Sequence, residues 1–310
     1  METIDLLDLH CDTAKQMLEL GQPLGKNEFA VSLEQADGYR QYIQVMALFT
    51  DRRLSDTAGW ERLLQMYENL KSDPSVQGGR ARLVTACPPR AAGISLLLGV
   101  EDARILQGRL ERVDMLYQMG IRILTPLWQG NTCIGGAHDT ENGLTAFGKL
   151  AVQRAVALGM LADISHASVR AADEMLEISA AQGCPVIASH SNAYACCPVS
   201  RNLRDGQIRA IIDCKGLIGL NLYTEFLSCN QPATVDDLLR HTEHFLSLGA
   251  AQALCLGCDM DGARLPKDLH SLSALPPFAN CLLRHNYPEQ LVRAIFFDNA
   301  YRVLQATLGT

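Results

Sequence analysis

Short apolar runs alternate along the chain with longer segments whose apolar positions recur at helical spacing. Eight runs stand out: Ile4–Leu9, Tyr42–Phe49, Ile94–Val100, Ile121–Leu127, Met160–Ile164, Pro185–Ser189, Leu217–Tyr223 and Leu254–Cys258. Most are almost continuously apolar, as strands buried on both faces should be. The segments between them predict helices over Asp56–Leu70, Ile105–Met119, Phe147–Leu158, Ala172–Ala181, Val235–Leu248 and Pro288–Leu304. Pro288 falls where a first helical turn accepts proline. Gly120, Gly159, Gly183 and Gly249 fall where helices close before the next strand. Eight β–α units in series predict an α/β fold, a closed (β/α)8 TIM-like barrel forming one domain over residues 1–310. An open doubly wound sheet shows the same alternation and is the competing architecture. Two long loops, Gly21–Glu34 and Gly130–Asn142, are expected to shape one face.

Composition narrows the classes. The 310 residues are 48% hydrophobic, enough for a large core, and the formal net charge is −7. No basic run or stripe is present, so nucleic acid is not an expected partner. The apolar stretch near Gly93–Val100 is far shorter than the roughly 20 residues a membrane span requires, so no membrane partner is expected either. The start, Met1–Asp5, lacks the basic region of a secretory signal, and a cytoplasmic location is expected. The eleven cysteines include one CxxC, Cys255–Cys258, set in an apolar strand without a second pair. Such cysteines read as small buried hydrophobes, and thiols are expected.

Candidate chemistry gathers at the ends of the strand-like runs. His10 and Asp12 end the first run. Residues two apart on an extended chain point the same way, so both can serve one ion. By itself the pair is as well explained by Asp12 capping the next helix. Glu101 ends the third run. A carboxylate there is costly to bury unpartnered, although helix capping would also account for it. His166 and His190 each follow an apolar run and a serine, on consecutive strands. Asp259 ends the eighth run, which in a closed barrel adjoins the first. Three histidines and three carboxylates at the C-terminal strand ends occupy the face where such barrels build their sites. Six ligands exceed the usual three of a single catalytic zinc and suit two divalent ions sharing a carboxylate. Two ions about 3.5–4 Å apart activate water and polarise a carbonyl. The barrel is therefore expected to be of the metal-dependent hydrolase type.

Other chemistries find less support. There is no GxSxG elbow and no GxGxxG. Gly143–Lys149 has the GxxxxGK spacing but is followed by Leu150 where a P-loop needs Ser or Thr. His241, His244, His270 and His285 read as surface residues. His138 lies in a long loop within reach of the site and is left open.

The ordered set Asp8-Leu9-His10-Cys11-Asp12, Gly99-Val100-Glu101, Asp163-Ile164-Ser165-His166, Ser189-His190-Ser191-Asn192-Ala193-Tyr194, Arg201-Asn202, Asn221-Leu222-Tyr223 and Gly257-Cys258-Asp259-Met260-Asp261-Gly262 resembles the renal (membrane) dipeptidase family, peptidase family M19. The resemblance runs over roughly residues 4–305. It implies a two-zinc barrel that hydrolyses dipeptides, often with a D-residue at the C-terminal position. His10 and Asp12 would hold one zinc, His166 and His190 the other, and Glu101 would bridge them. Asp259 would stand beside the first zinc as the proton-transfer group. Arg201 would bind the substrate carboxylate with its planar fork, and Tyr223 and Trp128 would contact substrate. The resemblance further implies a homodimer, and it places Cys197 and Cys229 where secreted relatives have a disulfide pair.

Two departures qualify it. Mammalian members have a histidine at the position of Trp128, which cannot exchange a proton at neutral pH. They also have a signal peptide and lipid anchor not read here, so a soluble bacterial-type member is expected. The rival readings are another metal-dependent amidohydrolase acting on N-acyl amino acids or lactones, and a metal-binding barrel without catalysis.

Overall fold

The computed structural model describes residues 4–310, so the first three residues of the N-terminal reading lie outside it. Nine parallel strands form: β1 (Leu6–Cys11), β2 (Gln41–Phe49), β3 (Ala81–Leu83), β4 (Gly93–Glu101), β5 (Ile121–Thr125), β6 (Leu161–Asp163), β7 (Val186–Ala188), β8 (Leu217–Leu220) and β9 (Leu254–Leu256). The order runs β2-β1-β9-β8-β7-β6-β5-β4-β3, and β2 also pairs with β4. That pairing closes eight strands into a barrel and excludes the open sheet. The three-residue β3 is additional. It pairs beside the first half of β4, while β5 pairs with the second half. Its brevity gave no apolar run to read.

The helices form where local chemistry starts and stops them. Ser55, Thr145 and Ser168 accept a backbone N–H from Ala58, Gly148 and Ala171, starting Asp56–Lys71, Ala146–Ala157 and Val169–Ala181. Gly120, Gly159, Gly183 and Gly249 all adopt positive φ just beyond helix ends, the conformation that costs glycine least. Two helix predictions need correction. The stretch expected over Ile105–Met119 is a short 3-10 turn, Ala103–Leu106, then a helix over Glu111–Gln118, separated where Gln107 and Gly108 turn left-handed. The last helix starts at Glu289, with Pro288 as its cap rather than its first residue. It passes through a π turn at Ala294–Asp298 and ends at Leu308.

Alternation along the strands layers the barrel interior. At the bottom, Leu7, Ile43, Leu97, Ile123, Leu161, Ile187, Leu217 and Cys255 pack together, sealed by Phe297, Ala300 and Tyr301 of the last helix. Two residues further along six of the strands, the inward positions turn small or polar, at Gly99, Thr125, Asp163, Ser189, Gly219 and Gly257, while β1 and β2 keep Leu9 and Val45 there. A Cβ on Gly219 or Gly257 would collide with the Ser189 carbonyl, so both must be glycine for the rim to close around β7. Two residues further still stand Glu101, Asn221 and Asp259. Strand β1 reaches the same level by a bulge. Between Asp8 and Cys11 it takes three steps while β2 takes two. Leu9 stays in the interior beside Leu7, and the extra residue turns His10 and Asp12 toward the rim in place of Cys11.

Candidate metal centre at the barrel rim

Six side chains named from the sequence meet over the strand ends. His10, Glu101 and His190 offer ligand atoms within 4.8 Å of one another, and so do His10, Asp12 and Asp259. All six, His166 included, are buried or nearly so. Glu101 stands in the middle. Its Oε2 is 3.4 Å from His10 Nε2, and its Oε1 is 2.8 Å from His166 Nε2 and 3.5 Å from His190 Nε2. Its two oxygens thus face two different sets of groups. The capping alternatives fall away. Asp12 makes no side-chain cap bond to the helix after it, and the neighbouring cap is Asp102, not Glu101.

The imidazole tautomers follow from their second bonds. His166 Nδ1 lies 3.0 Å from the Trp128 carbonyl, which only accepts, so Nδ1 carries the proton and Nε2 a lone pair. Ser189 Oγ donates to Asp163 Oδ2 at 2.5 Å and accepts from His190 Nδ1 at 2.7 Å, leaving His190 Nε2 a lone pair too. These two nitrogens are 2.9 Å apart, with Glu101 Oε1 beside them. Three acceptors without a hydrogen to share repel one another unless a cation sits among them. Burial, reinforced by the Arg201 charge, holds the His166 pKa down to about 3, and burial with the nearby His10 depresses that of His190. Both rings are therefore neutral, as metal ligands must be.

On the other side, burial opposes charge on His10, but Glu101 and Asp12 outweigh it and raise its pKa well above the usual range. Burial also opposes ionisation of Glu101, where His10 and His166 win and depress its pKa. His10 Nε2 and Asp12 Oδ1 are buried without a hydrogen-bond partner. Orphaned polar atoms are rare in interiors, and a divalent cation satisfies both. The donor set of imidazole nitrogen and carboxylate oxygen fits zinc or a similar ion.

Asp259 and His166 hold positive φ, 59° and 70°, a conformation non-glycine residues adopt sparingly outside functional sites. Asn221 Nδ2 donates to Asp259 Oδ2 at 3.0 Å. Burial pushes the Asp259 carboxyl up to about 7, against the pull of His10. Arg201 is only 5% exposed, so it is no surface arginine. It donates to the His190 carbonyl at 3.2 Å and faces the Phe226 ring, while its buried Nε has no partner. Burial lowers its pKa to about 10, and it stays charged. A cavity of about 710 Å³ opens over the rim, walled by Trp128, His138, Arg201, Tyr223, Asp259 and others. Trp128 packs on Phe49 at 4.9 Å between centroids.

Several supporting residues escaped the sequence reading. Asp163 accepts from the backbone N–H groups of Ser165 and Ser189 and from the hydroxyls of Thr125 and Ser189, locking β5, β6 and β7 under the histidines. Asp8 accepts from the N–H groups of His10 and Cys258 and so fixes the bulge. A carboxylate inside an apolar run was the available signal. Gly262 stands in the sequence only as the last residue of a motif, with no role of its own. A Cβ there would overlap Asp12 Oδ2 and come within 2.9 Å of Asp259 Oδ1. Gly262→Ala should therefore fold but displace the Asp12 carboxylate. Metal affinity is expected to fall at least tenfold, in line with the roughly 10–100-fold cost of disturbing ligand support, as read by competition with a chromophoric chelator. His241 corrects another reading. It shares a helix face with Leu238 and Phe245 and is fully buried. Its Nδ1 accepts from Ala193 N–H, and its Nε2 donates to the Leu227 carbonyl. His270 and His285 are exposed and His244 is half-buried. All eleven cysteines are free, with the Cys197 and Cys229 sulfurs 3.2 Å apart. No helix among the described residues is long and apolar enough to cross a membrane.

A closed parallel barrel whose C-terminal rim gathers imidazoles and carboxylates around a central Glu defines a metal-binding α/β barrel of the hydrolase type. The family model for membrane dipeptidase (peptidase family M19) matches residues 1–308, and the chain belongs to that family. It is 30% identical over 224 residues to an uncharacterised protein of Klebsiella pneumoniae, covering 68% of this chain and 82% of that one. It is 29% identical over 253 residues to Dipeptidase 3 of Macaca fascicularis, covering 79% of this chain. There it spans about half, 49%, of the relative's length. The fold superposes on a metallopeptidase from Rhodobacter sphaeroides, liganded with a phosphinate mimic of L-Ala-D-Ala, with a TM-score of 0.91 at 23% identity. That match covers 98% of this chain and 99% of the other.

Proposed function

We propose that this chain hydrolyses dipeptides, including those with a C-terminal D-residue, using two zinc or similar divalent ions held at the barrel rim. His10 and Asp12 would hold one ion, His166 and His190 the other, and Glu101 would bridge them, with Asp259 beside the first. The observation that carries this reading is the placement of Glu101, one oxygen toward His10 and the other toward two imidazoles whose lone pairs have no hydrogen to share. When bound, such ions polarise the scissile carbonyl and make a water acidic enough to attack at neutral pH. The remaining work falls to the chain's own groups. Arg201, charged and with an unpartnered Nε, takes the substrate's C-terminal carboxylate. Asn221 occupies Asp259 Oδ2 and leaves Oδ1 to accept a proton from the attacking water and return it to the leaving amine. Trp128 and Tyr223 wall the substrate and keep bulk water from it.

A panel of L-Ala-D-Ala, L-Ala-L-Ala and the matching tripeptides, with and without a chelator, tests the proposal. Chelator-sensitive cleavage of dipeptides but not tripeptides is expected. No cleavage by metal-replete protein would overturn it and direct attention to lactones and N-acyl amino acids. The homodimer implied by the family is part of the proposal, and a solution mass of two chains is expected by light scattering.

A further inference from the structure

The loop Gly130–Asn142 is pinned to the rim rather than draped over it. His138 N–H donates to the His166 carbonyl at 2.7 Å, Ala137 bridges to Ala167, and Ser168 N–H donates to the Gly136 carbonyl at 3.2 Å. Gly130 N–H donates to Asp139 Oδ1 at 2.6 Å, closing the loop on itself. The His138 ring is thereby fixed 6.0 Å from the His166 ring, edge to face. It lines the rim cavity and a second cavity of about 450 Å³ next to it, as Arg201 also does. The ring has one tether, Nδ1 to Ser200 Oγ at 2.8 Å, and Ser200 is the residue before Arg201 in the chain. No partner among the described residues engages His138 Nε2.

The bond to Ser200 fixes what the free nitrogen can do. When the exposed Ser200 hydroxyl donates to Nδ1, the proton of the neutral ring sits on Nε2. A half-buried N–H donor therefore stands beside a buried guanidinium whose Nε also lacks a partner, both at the junction of the two cavities. Both residues line the two cavities, and a pair of donors there would match the two oxygens of a carboxylate.

We propose that His138 is a substrate-binding residue. Its Nε2–H donates to the substrate's C-terminal carboxylate beside Arg201, and Ser200 acts as its positioning residue. This rests on the dipeptidase reading for the identity of the substrate, while the pairing of His138 with a carboxylate can be measured without turnover. The probes are a hydrolysis-resistant phosphinate analogue of L-Ala-D-Ala and its C-terminal carboxamide, titrated calorimetrically into the metal-loaded protein. Wild type is expected to prefer the carboxylate form. His138→Ala should reduce that preference about tenfold, the scale of a hydrogen bond to a charged group. His138→Gln, which keeps an N–H donor, should restore part of it. Ser200→Ala should reduce the preference by a smaller factor, because the ring loses its tether but keeps its donor. A role confined to holding the loop would weaken both probes equally and leave the ratio unchanged. An unchanged ratio in His138→Ala, within twofold, overturns the proposal. If wild type discriminates the probes through His138 yet cleaves no dipeptide, the inference stands and the dipeptidase reading fails.

Discussion

Replacing Glu101 by alanine is expected to remove metal and activity together. Among the described residues, Glu101 is the carboxylate that lies within 3.5 Å of His10 on one side and of His166 and His190 on the other. Without it, His166 and His190 keep their lone pairs but lose the negative charge between them and His10, and neither half retains a complete ligand set. Lewis-acid stabilisation of the transition state amounts to several kcal/mol. At 1.36 kcal/mol per tenfold change in rate, kcat/KM for L-Ala-D-Ala should fall by about 10³ or more. Metal content by atomic emission should drop in the same preparation, while circular dichroism stays that of the folded barrel. Full metal content in Glu101→Ala would show that the carboxylate is not the bridge.

The second large effect separates metal from proton transfer. Asp259→Asn preserves the shape of the side chain, and an amide at this position can still pair with Asn221, but it cannot shuttle a proton. Burial already pushes the carboxyl up to about 7, close to the pKa that suits an acid and base working at neutral pH. Loss of positioned proton transfer costs about 10²–10⁴-fold. A fall of that size in kcat is expected, with KM and metal content near those of wild type. A near-normal kcat in Asp259→Asn would remove this residue from the reaction.

The fold was legible because barrel strands are buried on both faces, and continuous apolar runs announce them. Every run except β3 could be found this way, and β3 is too short to carry a pattern. The six rim residues were legible for the opposite reason. His10, Glu101 and Asp259 interrupt or end apolar runs, where polar side chains need a cause. What the chain does not announce is how residues far apart support one another. The bulge that turns His10 inward depends on Asp8 accepting from Cys258, 250 residues away. The His190 tautomer depends on Asp163, and the room for Asp12 depends on Gly262. Each of these reads locally as an ordinary strand or turn residue. Arg201 illustrates the same gap. A charged residue in a loop looks exposed until the packing of Phe226 and the His190 carbonyl around it is seen.

Stepwise metal reconstitution tests the central claim most directly. Chelated protein is titrated with zinc while L-Ala-D-Ala hydrolysis and bound metal are followed together. Activity that saturates at two equivalents per chain is the expected result. Activity complete at one equivalent, or none at two, would contradict a two-metal dipeptidase.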